Sequence, residues 1–250
     1  MIKKRFTYYI LIIFLILIII IVFNSGLLNN YKIDEEKINQ ISLPQNFEIN
    51  IFADLDVSSR AYPGPNAGPR FMAFNNEILY LSVSKQGKVV ALPDSNKDGI
   101  SDKIVTIIED LNNPHGLAFY EDWLYIAEED RVIRVKDTND DLIYEKETIE
   151  KLVDLPSGGH WTRTIKIHND SLYISIGSNC NACNEANNFR ASIIKCNIDG
   201  KSCEVFASGL RNAVGFVFHP VTNEIYATEN SRDLLGEDIP PDEINIIKEN

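Results

Sequence analysis

The sequence has few cysteines and no excess of basic residues, and each shortage excludes a class of protein. The chain of 250 residues carries 24 Lys and Arg against 36 Asp and Glu, so its net charge is −12. A nucleic-acid-binding protein needs a basic surface for the phosphates, and this acidic chain therefore predicts no nucleic-acid partner. Four cysteines are too few for a disulfide scaffold. The 13 glycines and 10 prolines exclude a fibrous protein, and a hydrophobic fraction of 44% suffices for a folded core.

One long hydrophobic run stands near the N-terminus. Residues 6–24 follow a short basic segment, residues 1–5, and contain no charged residue. The 18 residues of its uncharged stretch, residues 6–23, measure about 27 Å as a helix, close to the ~30 Å hydrocarbon core of a bilayer. The positive-inside rule keeps residues 1–5 cytoplasmic and predicts that the remainder is exported. We expect residues 6–24 to be a single-pass membrane anchor or a cleaved signal peptide of a secreted or periplasmic protein, and residues 25–46 to be a polar spacer.

Four segments of the exported part share one layout. Each has a short apolar strand, a polar turn, a strand that contains a tyrosine, a second turn and a further strand. The tyrosines are Tyr80, Tyr125, Tyr173 and Tyr226, at spacings of 45, 48 and 53 residues. Such meanders of β-branched and aromatic residues, repeated every 45 or so residues, are typical of β-propeller blades. Residues 47–250 therefore predict an all-β propeller with about four blades, which we expect to be an incomplete ring.

Three motifs in these repeats resemble those of the glucose/sorbosone dehydrogenase family. They are GGHWTRTIKIH from Gly158, GLRNAVGF from Gly209 and PDEIN from Pro241. The similarity extends from about Leu43 to Ile247 and implies the six-bladed propeller of soluble quinoprotein sugar dehydrogenases. In that family pyrroloquinoline quinone (PQQ) lies over the central opening, with a calcium ion at a quinone oxygen. The resemblance implies oxidation of a sugar, or of an alcohol or aldehyde derived from one, with the electrons passing to an unidentified acceptor.

The same resemblance assigns roles to individual residues. It places the general base at His160, and imidazole has the pKa near neutrality that this role needs. It implies that Arg163, Arg211 and Asn212 bind the cofactor or the substrate, the two arginines as planar forks for carboxylates. It places calcium at the turn that follows Glu229, where oxygen ligands are available. The expected ligand residues are Ser231, Arg232, Asp242 and Glu243.

One departure from the family pattern leaves a second hypothesis open. Gly159 precedes His160, where the better-known branch of the family has an aspartate. The alternative to an enzyme is therefore a non-catalytic propeller that serves as a binding module outside the cell, because propellers host both functions.

A second calcium site is predicted at residues 94–102, which read D-x-N-x-D-G-x-x-D. The expected ligands are Asp94, Asn96, Asp98 and Asp102. Alternate oxygen-bearing side chains with glycine in sixth place resemble an EF-hand loop. Val105 occupies the twelfth position, where an EF-hand has a bidentate glutamate, so a polar turn between blade strands is the alternative.

The four cysteines of the chain lie close together in the third repeat. They are Cys180, Cys183, Cys196 and Cys203. Export favours two disulfides, Cys196–Cys203 across a hairpin turn and Cys180–Cys183 within one loop. A zinc site at this spacing and other pairings or free thiols are the alternatives.

Overall fold

The computed structural model describes residues 40–55 and 68–249. The chain divides into two compact units, residues 1–50 and residues 51–250. In the first unit, residues 40–50 form exposed coil. The predicted anchor or signal segment, residues 6–24, lies outside the described residues. No helix among the residues that are described has the length and hydrophobicity needed to cross a membrane.

In the described part of the second unit, fifteen strands form four antiparallel sheets, each a meander in chain order. Blade 1 comprises β1 (Phe71–Asn75), β2 (Ile78–Val83), β3 (Lys88–Leu92) and β4 (Val105–Ile108). Blade 2 comprises β5 (Leu117–Tyr120), β6 (Trp123–Ala127), β7 (Arg131–Val135) and β8 (Glu150–Asp154). Blade 3 comprises β9 (Arg163–His168), β10 (Ser171–Ile176), β11 (Ser192–Asn197) and β12 (Glu204–Ser208). Blade 4 comprises β13 (Phe216–Phe218), β14 (Ile225–Glu229) and β15 (Glu243–Ile247). Short 3-10 helices span Ser84–Gln86 and Lys146–Thr148.

These sheets are the four predicted blades, and the prediction of an all-β propeller is confirmed. The repeated tyrosine lies in the second strand of every blade, and in blades 1 to 3 it packs against the following blade. Tyr80 belongs to a core cluster with Leu117 of blade 2, and Tyr173 to one with Phe216 of blade 4. Tyr226 of blade 4 is only half-buried. The repeat in the sequence therefore marks the contact between neighbouring sheets, where apolar faces are removed from water.

Polar segments gather at one end of the sheets. In each blade, antiparallel pairing places the segment before the first strand beside the loop that follows the second strand. A backbone hydrogen bond joins these two segments in three blades, donated by the loop in blades 2 and 4 and by the leading segment in blade 3. It joins Glu129 N to Asn112 O at 3.0 Å, His160 N to Ser178 O at 3.0 Å and Asn230 N to Asn212 O at 3.1 Å. We call this end of the sheets the upper face, and the opposite end, which carries the other turns, the lower face.

Candidate active site

His160 lies on the upper face, in the segment that leads into β9. Its ring is half-buried, and its Nδ1 lies 2.8 Å from the carbonyl oxygen of Ser178 and 3.0 Å from the Ser178 hydroxyl. A carbonyl oxygen only accepts hydrogen bonds, so Nδ1 carries the proton. In the neutral ring the lone pair then lies on Nε2, which is the form that a general base requires.

The structure brings Asn212 beside His160. The two residues flank Gly177, the first residue after β10. A Cβ on Gly177 would lie 2.6 Å from His160 Cβ and 2.6 Å from Asn212 Oδ1. Asn212 is buried, and its backbone N–H donates to Glu229 Oε1 at 3.2 Å. Two of the residues predicted for the site are therefore neighbours, and a glycine between them permits the close approach.

The guanidinium of Arg211 ties two loops of the upper face together. It donates to Asn181 O at 2.9 Å and to Asn181 Oδ1 at 3.0 Å. It also donates to Asn230 O at 2.9 Å and forms an ion pair with Asp233 at 2.8 Å. Its planar fork is thus occupied by protein acceptors, and its contact with a cofactor stays a prediction.

The structure gives Arg163 a different task from the one that the sequence predicted. Its side chain is fully buried and donates to His160 O at 2.6 Å, Thr162 O at 2.8 Å and Pro156 O at 2.7 Å. Burial, and then the neighbouring Arg190, lower the pKa of Arg163 to about 10. A guanidinium without exposed surface does not meet a ligand, and Arg163 instead holds the segment that carries His160 in place.

The turn predicted to bind calcium closes on itself through Asp242. The carboxylate of Asp242 accepts from Ser231 N at 2.9 Å, and the Ser231 hydroxyl donates to Pro241 O at 2.7 Å. The loop of residues 230–242 encloses a cavity of about 580 Å³, lined in part by Arg232 and Asp242. Glu243 does not join this cluster, because it lies on β15 in register with Glu229.

Glu229 provides the test of whether a cation fits this turn. The residue is 8% exposed, and its Oε2 is buried without a hydrogen-bond partner among the described residues. Burial raises the pKa of Glu229, although hydrogen bonds from the Asn212 and Arg211 backbone act in the opposite direction. A buried carboxylate oxygen that lacks a donor is the kind of hard ligand that calcium takes. The donor chemistry of Glu229 and of the turn that follows it therefore suits the ion, although Glu229 does not itself line the cavity.

The second predicted calcium loop, residues 94–102, lies on the lower face between β3 and β4, away from His160. Its carboxylates accept backbone N–H groups, with Gly99 N 3.0 Å from Asp94 Oδ2 and Ser95 N 2.8 Å from Asp102 Oδ2. These hydrogen bonds from Ser95 lower the pKa of Asp102. The loop forms the polar turn of the alternative interpretation, and calcium binding there stays a prediction.

Both predicted disulfides are present. Cys180 is bonded to Cys183 and Cys196 to Cys203, which leaves no free thiol. Among the described residues, the metal-like cluster of three ligand side chains consists of Cys180, Cys183 and Glu185. Two of these are oxidised to a disulfide, which removes the thiolates that zinc needs. The zinc alternative is therefore not supported.

Two residues of the site carried no sequence signal. Ser178 acts on His160 mainly through its backbone carbonyl, which any residue type supplies. Asn181 lies between Cys180 and Cys183 and holds Arg211 from a distance of 30 residues. The C-x-x-C spacing of Cys180 and Cys183 was the one sequence feature that indicated a defined conformation for the loop around Asn181.

Comparison with known proteins defines the family of this fold. The family described as TrAA12-like matches residues 66–250. The chain belongs to the TrAA12-like family. An uncharacterized protein of Borreliella burgdorferi is 30% identical to it over 228 residues, which cover 86% of this chain and 56% of that protein. The TrAA12-like chain thus spans about half the length of this relative.

Two solved structures show which propellers the TrAA12-like chain resembles. The calcium structure of a Trichoderma reesei protein of Carbohydrate-Active Enzymes Family AA12 has a TM-score of 0.64 at 22% identity, covering 76% of this chain and 54% of that one. The holo PQQ domain of pyranose dehydrogenase from Coprinopsis cinerea has a TM-score of 0.62 at 18% identity, covering 76% and 53%. At these identities the likeness establishes the fold, which is similar to the six-bladed propellers of sugar dehydrogenases.

Proposed function

We propose that this chain carries the sugar-oxidising site of an exported quinoprotein that uses PQQ and calcium. The observation that carries the proposal is the pairing of His160 with Ser178, which leaves Nε2 free as a base. The family match and the fold add support, because the related pyranose dehydrogenase is described with a PQQ domain.

His160 has one chemical role in this proposal. Nε2 takes the proton of a sugar hydroxyl as the C–H bond beside it breaks and the carbonyl of the product forms. The Ser178 carbonyl holds the ring and stabilises the positive charge that protonation creates. Asn212 lies beside His160, where its amide can bind a hydroxyl or carbonyl oxygen. PQQ with calcium, when bound, supplies the two-electron acceptor for the hydride that leaves the substrate carbon.

The turn after Glu229 is where this chain would hold calcium. The buried Oε2 of Glu229, the carboxylate of Asp242 and the backbone carbonyls of Ser231 and Arg232 are the oxygen atoms offered. Export to the cell surface or beyond belongs to the same proposal. Two disulfides support it, since they persist outside the cytoplasm.

A binding module without catalysis is the second candidate. It is favoured by Arg163 and Arg211, whose guanidinium groups meet protein acceptors rather than an open cleft. The enzyme needs PQQ and the binding module does not, so a measurement of PQQ binding distinguishes the two candidates.

The test is reconstitution of the full-length protein with PQQ and calcium chloride, an artificial electron acceptor and a panel of aldoses. We expect turnover in the wild type, and loss of turnover with retained PQQ binding in His160→Ala. His219→Ala is the control, because His219 lies on the lower face, where it caps the turn at Thr222. Absence of PQQ binding refutes the enzyme and favours the binding module, and full activity of His160→Ala refutes the role of His160.

A further inference from the structure

The two tryptophans of the chain have similar surroundings. Trp123 has the guanidinium of Arg134 at 4.4 Å and the ammonium of Lys136 at 4.5 Å from its ring centroid. Trp161 has the guanidinium of Arg70 and the ammonium of Lys85, each at 5.5 Å. Each indole thus attracts two cations through its ring electrons.

The cations at Trp123 are neutralised by carboxylates. Arg134 pairs with Glu150 at 2.6 Å, and Lys136 lies 3.7 Å from Asp122. Each of these two cations thus has a carboxylate partner, so no unpaired positive charge is left at Trp123 to bind a ligand.

The cations at Trp161 have no carboxylate partner among the described residues. Neither Arg70 nor Lys85 forms an ion pair with any residue that the structure describes. Lys85 has a polar contact to Asn113 Oδ1 at 3.5 Å. The carboxylate on the other side of Asn113 is Glu129, which accepts from Asn113 Nδ2 at 2.7 Å and from Gly158 N at 3.0 Å. Two exposed positive charges beside one ring form a local positive patch in a chain with a net charge of −12, and such a patch attracts an anion.

The cluster rests on well-anchored backbone at the upper face. The Arg70 N–H donates to Ser82 O at 2.9 Å, and the Ser82 hydroxyl donates to His115 O at 2.7 Å. The rings of His115 and Trp161 form a T-shaped pair, with their centroids 5.9 Å apart. Trp161 itself directly follows His160 in the chain. Groups from blades 1, 2 and 3 therefore converge beside the proposed base.

We propose that Arg70, Lys85 and Trp161 form a binding site for a carboxylate on a flat or ring-shaped ligand. The guanidinium fork matches the geometry of a carboxylate, the ammonium adds charge, and the half-buried indole offers an apolar surface to a ring. Two ligands have this chemistry, namely an acidic quinone and an acidic sugar of the uronic type. The identification of either as the natural ligand rests on the proposed function, whereas anion binding does not.

The test measures binding rather than activity and uses the full-length protein. In Trp123→Phe, Trp161 is the remaining tryptophan, so its fluorescence reports on the cluster. We expect saturable quenching by D-glucuronate and none by D-glucose. Arg70→Gln and Lys85→Gln should each weaken binding about tenfold, as loss of one charge-assisted hydrogen bond predicts. Lys136→Gln, at the neutralised tryptophan, should bind like the parent. Calorimetry on the protein with both tryptophans repeats the measurement without Trp123→Phe.

A calorimetric titration with PQQ separates the two ligands. If Arg70→Gln and Lys85→Gln weaken PQQ binding alone, the cluster holds the quinone. If they weaken D-glucuronate binding alone, it selects an acidic sugar. If PQQ does not bind at all, the proposed function fails. The effect of the two variants on D-glucuronate binding then decides whether the anion site exists. The anion site is refuted when neither variant alters the affinity for either compound.

Discussion

Gly177→Ala is the most direct test of the arrangement at the candidate site. Gly177 has no left-handed backbone that would by itself disfavour alanine, so the effect of the change comes from space alone. The new methyl would lie 2.6 Å from His160 Cβ and 2.6 Å from Asn212 Oδ1. Favourable carbon contacts begin near 3.5 Å, so one neighbour has to move by about 1 Å. Asn212 can rotate its amide, but Ser178 O holds His160 at both ends, through its backbone N–H and through its ring Nδ1.

The magnitude follows from overpacking of a dense interior. Such insertions cost about 1–3 kcal/mol, and for a domain of this size each kcal/mol lowers the melting temperature by about 2–4 °C. We therefore expect thermal unfolding of Gly177→Ala at a temperature lower by about 2–12 °C, measured by circular dichroism. Displacement of a catalytic group by about 1 Å lowers the rate on the order of a hundredfold, so turnover should fall as well.

Gly68→Ala is the matched control, because no atom of the described residues lies within 4 Å of the Cβ that it introduces. Its melting temperature should equal that of the wild type or rise slightly, since alanine restricts the unfolded chain. If Gly177→Ala behaves like this control, His160 and Asn212 do not adjoin as described, and the proposed site is wrong.

Two further predictions concern stability. His115 is 2% exposed, and burial lowers its pKa from 6.5 to about 4. Its contribution to stability is therefore full above pH 6.5 and is lost as the pH falls toward about 4, by about 3 kcal/mol in all. Urea unfolding of His115→Gln across this window should show a shallower pH dependence than the wild type, and equal slopes would contradict the account. Replacing both Cys196 and Cys203 by alanine opens the loop that their disulfide closes and should cost about 2–3 kcal/mol in the same assay. An unchanged unfolding midpoint would show that the hairpin stays equally closed without the bond.

The sequence was most informative where structure depends on neighbouring residues. The alternation of apolar residues and the turns between them predicted the blades, because strand and turn preferences act within a few residues. The Cys196–Cys203 disulfide was predictable for the same reason, since a hairpin brings its two ends together. Cys180–Cys183 was likewise predictable, because both cysteines belong to one short loop.

The partners of Arg211 were decided by the tertiary structure alone. Arg163 and Arg211 carry the same motif signal, yet one is buried beneath the segment of His160 and the other bridges two loops. The acceptors of Arg211 on Asn181 and Asn230 lie 30 and 19 residues away, on loops that the packing of whole sheets brings together, whereas the acceptors of Arg163 lie within 7 residues of it. The two cations at Trp161, which pair with no carboxylate in the described part of the chain, have the same origin, because Arg70 and Lys85 belong to another blade. The sequence by itself thus determined the repeat, the disulfides and the candidate base, because these depend on local preferences or on one motif. The tertiary structure decided which charges are neutralised, because electrostatic pairing depends on distances between parts of the chain that are far apart in sequence.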